Sequence, residues 1–154
     1  MDLRPLDIIV IKSRVWQPMD WFIYKHTSSM WGHCAVVKKE DGTLFDPRLK
    51  GIVDNPISKY ESRGFKVRRY KYDFDREKVM AWCLEKQKKS KHYDFISMIG
   101  FATGIKKLNN PNAWYCSEFP YWMHQENGSK LTDEELCFVY PDFFMKCNDF
   151  ITVV

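Results

Sequence analysis

Residues 33–46, HCAVVKKEDGTLFD, predict an antiparallel β-hairpin. The stretch opens with a histidine and a short apolar, β-branched run, closes with a second short run, and carries Asp41-Gly42 between them as a strong signal for a tight turn. If the two strands pair about that turn, their far ends meet. His33 and Asp46 occupy those ends, so we expect their side chains to come close together.

Further strands and helices follow from the same kind of pattern. Pro47 is expected to end the second hairpin strand, and a loop rich in Gly, Pro and Asn is expected to run to about Tyr60. Because neighbouring strands are close enough for hairpins and do not alternate with helices, the predicted fold class is α+β, an antiparallel sheet packed against helices. The other strands are predicted at residues 7–12, 65–72 and 150–154, and helices at residues 76–89, with Asp75 as the N-cap, and 93–103.

Length and composition fit a single domain over residues 1–154, with 45% hydrophobic and 16% aromatic residues to form its core. The longest apolar run, residues 95–105, is too short to cross a bilayer, so no transmembrane segment is expected. The N-terminus lacks the basic and apolar regions of a signal peptide. A cytoplasmic location is therefore predicted, with a phage-borne protein or one released by lysis left open.

The charge and the cysteines disfavour several kinds of site. The net charge of +4 is mild, and the basic clusters at residues 68–71 and 86–91 carry no interleaved stacking pattern, so no nucleic-acid partner is expected. The five cysteines are widely spaced and include no C-x-x-C pair, so they do not indicate a disulfide framework. A zinc site of His33, Cys116 and a distant ligand is the alternative that the spacing disfavours. Neither a metal nor a cofactor is predicted.

Residues 116–125, CSEFPYWMHQ, place a cysteine at the start of a helix. Proline is tolerated in a helix only within the first turn, so Pro120 requires a helix here to begin at about Cys116 or Ser117. At that position the helix dipole and unpaired N–H groups stabilise a thiolate, and the same N–H groups suit an oxyanion hole. A nucleophile and a buried, inert cysteine are then equally weighted interpretations of Cys116.

A nucleophilic cysteine needs a base, and the sequence favours His33 among the four histidines. His124 lies farther along the same helix, at about 12 Å of rise, which is too far for a direct hydrogen bond. His26 and His92 stand in polar, lysine-flanked segments typical of a surface. His33 opens an apolar strand, on which Cys34 points to the opposite face and is interpreted as core. A histidine satisfied at a strand end is the alternative interpretation of His33.

A third group is needed to orient the imidazole and to fix its tautomer. Asp46 is the candidate, because the predicted hairpin brings it to His33. The equally weighted alternative is that Asp46 caps the turn before Pro47. Glu118, which follows Cys116 closely in the sequence, is expected to pack or pair elsewhere.

Three segments form a pattern in a fixed order along the chain. They are LDII at residues 6–9, WGHCAVV at residues 31–37 followed by Asp41-Gly42, and WYCSEF at residues 114–119. The pattern resembles the circularly permuted branch of the NlpC/P60 superfamily, the YiiX-like group with its poxvirus relatives, in which the histidine precedes the cysteine. Tyr-Asp at residues 93–94 is similar to a pair in the family's penultimate helix, and residues 131–142 are similar to its closing loop.

The resemblance implies a papain-like fold with a Cys-His-acid triad that works through a thioester intermediate. In the matching positions Cys116 is the nucleophile, His33 the base, and Asp46 the group that orients the base. The family often has glutamate in the third place, and aspartate is shorter by one methylene. The resemblance also implies that Tyr115 and Tyr93 line the site.

Three functions are open at this level. The favoured one is a cysteine peptidase or amidase that acts on a peptide or amide bond, such as that of a cell-wall peptide. The second is a lipid-directed thioesterase or acyltransferase, because permuted relatives of the lecithin:retinol acyltransferase type handle acyl groups. The third, an inactive binding module, is disfavoured because no triad member is missing. An acyl-directed enzyme would need an apolar groove, with Trp31 as a substrate-binding residue. The aromatic residues that could line it are otherwise expected in the core: Trp16, Trp21, Phe22, Trp31, Trp114 and Trp122.

Overall fold

The computed structural model describes residues 1–14, 21, 24, 25, 27–92, 114–129, 131 and 139–154. The helix predicted at residues 93–103 lies outside them. The strands are β1 (Ile8–Lys12), β2 (Trp31–Val37), β3 (Thr43–Arg48), β4 (Gly51–Pro56), β5 (Phe65–Tyr70) and β6 (Phe150–Thr152). The helices are a 3₁₀ helix (Ile57–Arg63), α1 (Arg76–Lys89), α2 (Glu118–Gln125) and α3 (Phe143–Lys146).

The strands form one antiparallel sheet in the order β4-β3-β2-β1-β5-β6. β1 lies between β2 and β5 and pairs with both, and its apolar residues 8–11 are fully buried. In the hairpin of β2 and β3, Val36 faces Phe45 and Val37 faces Leu44. The predicted α+β class with an antiparallel sheet is confirmed.

Apolar side chains cover both faces of the sheet, because successive residues of a strand point to opposite faces. On one face, alternate residues of β1 join a large cluster with Val79 of α1, Phe119 of α2 and Phe144 of α3. On the other face, the intervening residues of β1 join a smaller cluster with Tyr60 of the 3₁₀ helix. The sheet therefore separates two cores, with the α-helices on one face and the 3₁₀ helix on the other.

Residues 47–60 form regular structure where the sequence predicts a loop. β3 continues through Pro47 to Arg48, and β4 pairs with it along its whole length, so the predicted end of the strand is wrong. On its other side β3 pairs with β2 only through Leu44 and Phe45. The missing N–H of Pro47 therefore removes no bond from that ladder, and the strand tolerates the proline.

Gly51 makes the turn between β3 and β4 feasible. Its φ of +95° lies in the left-handed region, and a Cβ at this position would stand 2.2 Å from the carbonyl oxygen of Ser90. Glycine meets both constraints, whereas any other residue would be strained and would clash. The turn starts β4, and the 3₁₀ helix that follows β4 buries Tyr60 against the hairpin.

Helix α1 and its N-cap agree with the prediction from the sequence. α1 spans the predicted residues 76–89, and the side chain of Asp75 accepts a hydrogen bond from the backbone N–H of Lys78 at 3.0 Å. Cys83 of this helix is buried in the core, as predicted. Within the described parts of the chain, no helix is both long and apolar enough to span a membrane.

His124 of α2 is a buried histidine in an aromatic environment. The rings of Tyr70, Phe74 and Phe150 surround its imidazole at centroid distances of 4.6, 5.7 and 5.3 Å. Neither ring nitrogen makes a hydrogen bond to the described residues. Burial therefore lowers the pKa of His124 to about 3, which keeps the imidazole neutral.

Acid is expected to destabilise the fold through His124. The unfolded chain binds this proton near the ordinary pKa of 6.5 and the folded chain only near pH 3, so the stabilisation is complete above pH 6.5 and is lost as the pH falls towards 3. One proton corresponds to about 1.4 kcal/mol per pH unit. Relative to the wild type, the unfolding free energy of His124→Phe should therefore rise by about 2 kcal/mol between roughly pH 7.5 and pH 5, measured by denaturant unfolding.

His92→Phe is the matched control, because His92 is exposed and its replacement makes the same chemical change at the surface. The control measures how far the loss of an exposed histidine alters the pH dependence of unfolding, and the effect at His124 should exceed it. Equal pH dependence in the wild type and in His124→Phe would contradict the assignment of a neutral, buried imidazole.

Candidate active site

Cys116 lies at the start of α2. The helix begins at Glu118 with Ser117 as its N-cap, and Pro120 occupies its first turn. The start that Pro120 predicts is confirmed to within two residues. Cys116 therefore immediately precedes the N-cap, at the positive end of the helix dipole, and it is 2% exposed.

Hydrogen bonds to Val139 fix the turn that carries Cys116. The hydroxyl of Ser117 donates to the carbonyl oxygen of Val139 at 2.6 Å, and the hydroxyl of Tyr115 accepts from the Val139 N–H at 3.1 Å. Glu118 turns back and accepts from the N–H of Tyr115 at 3.4 Å, so it pairs locally as expected. Both sequence neighbours of Cys116 are thus tied to one residue, which fixes the backbone on either side of the thiol.

The sequence predicts three aromatic residues at the site, and the structure describes two of them. Tyr115 is buried, and its hydroxyl holds Val139, so it supports the turn of the thiol. Trp31 is half-buried at the start of β2 and packs against the larger core cluster. Tyr93 lies outside the described residues. Contact of these side chains with a substrate stays a prediction.

The hairpin brings His33 and Asp46 together, as its turn predicts. Nε2 of His33 lies 2.7 Å from Oδ1 of Asp46, and the two residues are 6% and 0% exposed. A carboxylate only accepts hydrogen bonds, so Nε2 carries the proton and donates it. Cys116 also interacts with the imidazole, since its charge and a side-chain hydrogen bond both help to raise the pKa of His33, and Nδ1 is the ring nitrogen that Asp46 does not contact. The imidazole therefore lies between the thiol and the carboxylate.

Three donors converge on the second oxygen of Asp46. Oδ2 accepts from Nε of Arg48 at 2.8 Å, from Nδ2 of Asn55 at 2.8 Å and from the hydroxyl of Tyr60 at 2.5 Å. Burial alone raises the pKa of Asp46, but the charges of His33 and Arg48 and the hydrogen bonds from His33 and Tyr60 outweigh it and hold the pKa well below its usual range. Asp46 is therefore a buried carboxylate within β3 and not the cap of a turn before Pro47.

These three donors escape prediction from the sequence, because they lie in the segment that is predicted to be a loop. Arg48 is two residues after Asp46 on β3, so the two side chains share a face of the strand. Asn55 lies diagonally across the β3–β4 pair. A strand continued as far as Arg48 would have indicated both residues. Tyr60 comes from the 3₁₀ helix, and no local pattern indicates its position.

The pKa of His33 is raised above its ordinary value. Burial lowers this pKa, but the negative charges of Asp46 and Cys116, together with hydrogen bonds to both, outweigh burial. The protonated imidazole is therefore stabilised between two groups that can be anions. A positive His33 beside a negative Cys116 is what a thiolate–imidazolium pair requires.

Cys34 is a second buried thiol near Cys116. Its Sγ lies 3.9 Å from the carbonyl oxygen of Pro141 within the larger core cluster, so the predicted core position is confirmed. Burial first, and then the charges of Cys116 and Asp142, raise the pKa of Cys34 well above its ordinary value. Although Cys34 points away from the face of His33, it is close enough to Cys116 to respond to its charge.

The described residues near His33 do not form a metal site. Among them, no three His, Cys, Asp or Glu side chains are close enough to hold one ion together. His33 and Asp46 are bonded to each other, and the remaining carboxylate oxygen already accepts three hydrogen bonds. A zinc ion on His33 and Cys116 would compete with these bonds, so the donor set suits acid–base chemistry better.

Comparison with known proteins gives a relationship of fold. No protein family matches the sequence, and no curated protein matches it. Among solved structures, the chain is similar to the crystal structure of the metalloprotein YiiX from Escherichia coli O157:H7, with a TM-score of 0.71 and 16% sequence identity. The similarity covers 100% of this chain and 98% of that one. The chain therefore shares the fold of that protein.

Asp46→Asn is expected to lower the pKa of His33. The substitution removes the negative charge that Nε2 contacts, so the effect of burial is opposed only by Cys116, and the pKa should fall. Titration of the imidazole by nuclear magnetic resonance measures this pKa in both proteins.

Asp54→Asn is the matched control, because Asp54 lies on β4, the strand that pairs with β3, but forms its ion pair with Lys38 at the surface. This control should leave the titration of His33 at its wild-type position. If the pKa of His33 were the same in Asp46→Asn and in the wild type, the electrostatic role assigned to Asp46 would be wrong.

Proposed function

We propose that the chain is a cysteine hydrolase of the papain-like type that cleaves a peptide or amide bond. Cys116 is the nucleophile, His33 the general base, and Asp46 the group that orients the base. The observation that carries the proposal is the position of His33, whose Nε2 lies 2.7 Å from Oδ1 of Asp46 and whose pKa is raised by the charge of Cys116 and a side-chain hydrogen bond to it. The fold shared with YiiX and the resemblance of the motifs to the permuted NlpC/P60 group support it.

The first half of the proposed reaction forms a thioester. His33 takes the proton of the Cys116 thiol, and the thiolate attacks the carbonyl carbon of the substrate to form an S–C bond. The carboxylate of Asp46 stabilises the resulting imidazolium. The imidazolium then returns the proton to the leaving nitrogen as the C–N bond breaks, and an amine departs.

The second half of the proposed reaction hydrolyses the thioester. His33 removes a proton from water, which attacks the thioester carbonyl, and the S–C bond breaks to release a carboxylic acid and restore Cys116. In both halves a negative oxygen develops next to the sulfur. Because Cys116 lies at the start of α2, backbone N–H groups and the positive end of the helix dipole stabilise that oxygen.

A metal ion has no part in this proposal, although YiiX is described as a metalloprotein. Among the described residues, no third His, Cys, Asp or Glu joins His33 and Cys116 as a ligand. Asp46 is already engaged by four donors. The donor set does not fit a bound ion, so no step is assigned to one.

Alkylation by iodoacetamide tests the nucleophile. At roughly neutral pH, Cys116 should react about tenfold faster than Cys34 and Cys83, because His33 supports its thiolate whereas burial raises the pKa of the other two thiols. Mass spectrometry of the labelled peptides gives the rate at each cysteine. His33→Ala should remove the difference by slowing the reaction at Cys116.

Cys116 is almost as buried as Cys34 and Cys83, and the comparison with His33→Ala at the same thiol separates reactivity from access. Cys147 is only partly buried and serves as the more accessible reference. The nucleophile assignment would be refuted if Cys116 reacted no faster than Cys34 and Cys83, or if its rate were the same in the wild type and in His33→Ala.

An acyl-directed thioesterase or acyltransferase is the second candidate. The observation that favours it is exposed apolar surface in the segment before β2, where Trp21, Tyr24 and Met30 are 50%, 46% and 55% exposed. Met30 immediately precedes the strand that carries His33. A contiguous patch of exposed apolar side chains is typical of surfaces that contact apolar ligands, and these three residues share one short segment of the chain. The chemical steps are unchanged, with an ester or thioester in place of the amide.

A substrate series separates the two candidates. A peptidase or amidase should hydrolyse short peptide p-nitroanilides, and its kcat/KM on p-nitrophenyl esters should not depend on acyl-chain length. An acyl-directed enzyme should show a kcat/KM that rises with chain length, and Met30→Ser should flatten that rise. Cys116→Ala is the control for both and should abolish turnover of every substrate.

A further inference from the structure

Arg48 is a further charged group of the candidate site, and it contacts the Asp46 oxygen that His33 does not use. We infer, on the basis of the proposed function, that Arg48 is a positioning residue that acts together with Tyr60. It fixes the Asp46 carboxylate in the orientation that His33 needs, and it balances the charge of the buried site.

The hydrogen bonds around Asp46 are divided unequally between its two oxygens. Oδ2 accepts from Arg48 of β3, Asn55 of β4 and Tyr60 of the 3₁₀ helix, whereas Oδ1 accepts from His33. Three donors that approach one oxygen from different elements fix the plane of the carboxylate. The other oxygen then points in a single direction, towards Nε2 of His33.

Tyr60 ties Arg48 to the same carboxylate. The guanidinium of Arg48 donates to the Tyr60 hydroxyl, which donates in turn to Asp46. The central carbon of the guanidinium, Cζ, lies 5.4 Å from the centroid of the Tyr60 ring. Burial and the charge of Asp46 raise the pKa of Tyr60, so its hydroxyl stays protonated and remains a donor. The Tyr60 ring also lies 5.9 Å from the imidazole of His33. Arg48, Tyr60 and Asp46 form a closed triangle of hydrogen bonds beside the base.

Arg48 also completes the charge balance of the site. In the reactive form Cys116 and Asp46 are negative and His33 is positive, which leaves an excess negative charge in a buried environment. Such a charge is costly unless it is paired, and the guanidinium of Arg48 pairs with it. The Arg48 side chain is 33% exposed, so its outer edge stays in water while its inner edge reaches Asp46. Arg48 thereby opposes part of the attraction that Asp46 exerts on the proton of His33.

Three variants separate the charge of Arg48 from its geometry. Arg48→Met removes both, and Arg48→Lys keeps the charge but cannot donate to Asp46 and Tyr60 as a fork. Tyr60→Phe keeps Arg48 and removes one donor to the carboxylate. The imidazole of His33 is titrated by nuclear magnetic resonance in the Cys116→Ala background, and alkylation of Cys116 by iodoacetamide is measured in the same variants with the thiol intact.

The two readouts should respond differently. Arg48→Met should raise the pKa of His33 by about 1, because Asp46 then acts on the imidazole without an opposing charge. Arg48→Lys should return this pKa to near its wild-type value. Alkylation of Cys116 should fall by about tenfold in Arg48→Met, in Arg48→Lys and in Tyr60→Phe, because the imidazole is no longer held in one orientation.

Arg63→Met is the matched control, because Arg63 also donates through Nε and Nη2 but to the carbonyl oxygen of Lys12. It should leave both readouts at their wild-type values. An unchanged pKa of His33 in Arg48→Met would overturn the inference, and so would full alkylation in Arg48→Lys or in Tyr60→Phe. If Arg48→Met does not fold, the other two variants still decide the outcome.

Failure of the proposed function is distinguishable from failure of this inference. If Cys116 of the wild type reacts with iodoacetamide no faster than Cys34, the assignment of Cys116 as the nucleophile, and with it the proposed function, is refuted. In the Cys116→Ala background the titration of His33 depends on burial, Asp46 and Arg48 but not on the thiol, so it is read independently of any reaction at Cys116.

Discussion

The buried hydrogen bond between His33 and Asp46 is the interaction on which the rest of the site depends. An ionised carboxylate inside a protein is stable only when its charge and its hydrogen-bonding capacity are satisfied. His33 supplies one donor, and the carboxylate in turn keeps the pKa of His33 above its ordinary value despite burial. Each group makes the burial of the other tolerable. Removal of Asp46 leaves burial to lower the pKa of His33, and removal of His33 takes the only described donor from Oδ1 of Asp46.

The same constraint explains why residues 47–60 are regular structure. Asp46 is fully buried, so the donors to its second oxygen must come from the protein. Arg48 comes with the continuation of β3, Asn55 with β4 and Tyr60 with the 3₁₀ helix. A loop without fixed structure would leave this oxygen unsatisfied. The β3–β4 hairpin and the 3₁₀ helix after it therefore complete the hydrogen bonding of the Asp46 carboxylate. They do so on the face of the sheet that carries the smaller core cluster.

Local signals make part of the fold and of the site predictable. The Asp41-Gly42 turn determines which strand residues face each other, and the meeting of His33 and Asp46 follows from it. Pro120 limits where α2 can begin, which places Cys116 at its start. The interaction of Cys116 with His33 joins distant parts of the chain, and it is indicated by elimination of the other histidines and by the resemblance of the motifs, not by a local pattern. The donors to the carboxylate escape prediction because proline and glycine usually end strands, and a tertiary requirement overrides that tendency here.

His33 and His124, two buried histidines of the described residues, separate the effect of burial on a histidine pKa from the effect of a charged partner. His33 and His124 are both almost fully buried, yet the pKa of the first is raised and that of the second is lowered to about 3. His124 is surrounded by aromatic rings, so its neutral form is favoured and it contributes packing. One ring nitrogen of His33 is hydrogen-bonded to the Asp46 carboxylate, and the imidazole also interacts with the Cys116 thiol, so His33 can hold and release a proton. Sequence spacing disfavours His124 because of its distance from Cys116, but the physical distinction is the negative charge that β3 delivers to His33. The register of the hairpin, which brings Asp46 to His33, therefore suits His33 to proton transfer. Burial alone lowers the pKa of a histidine, as it does at His124.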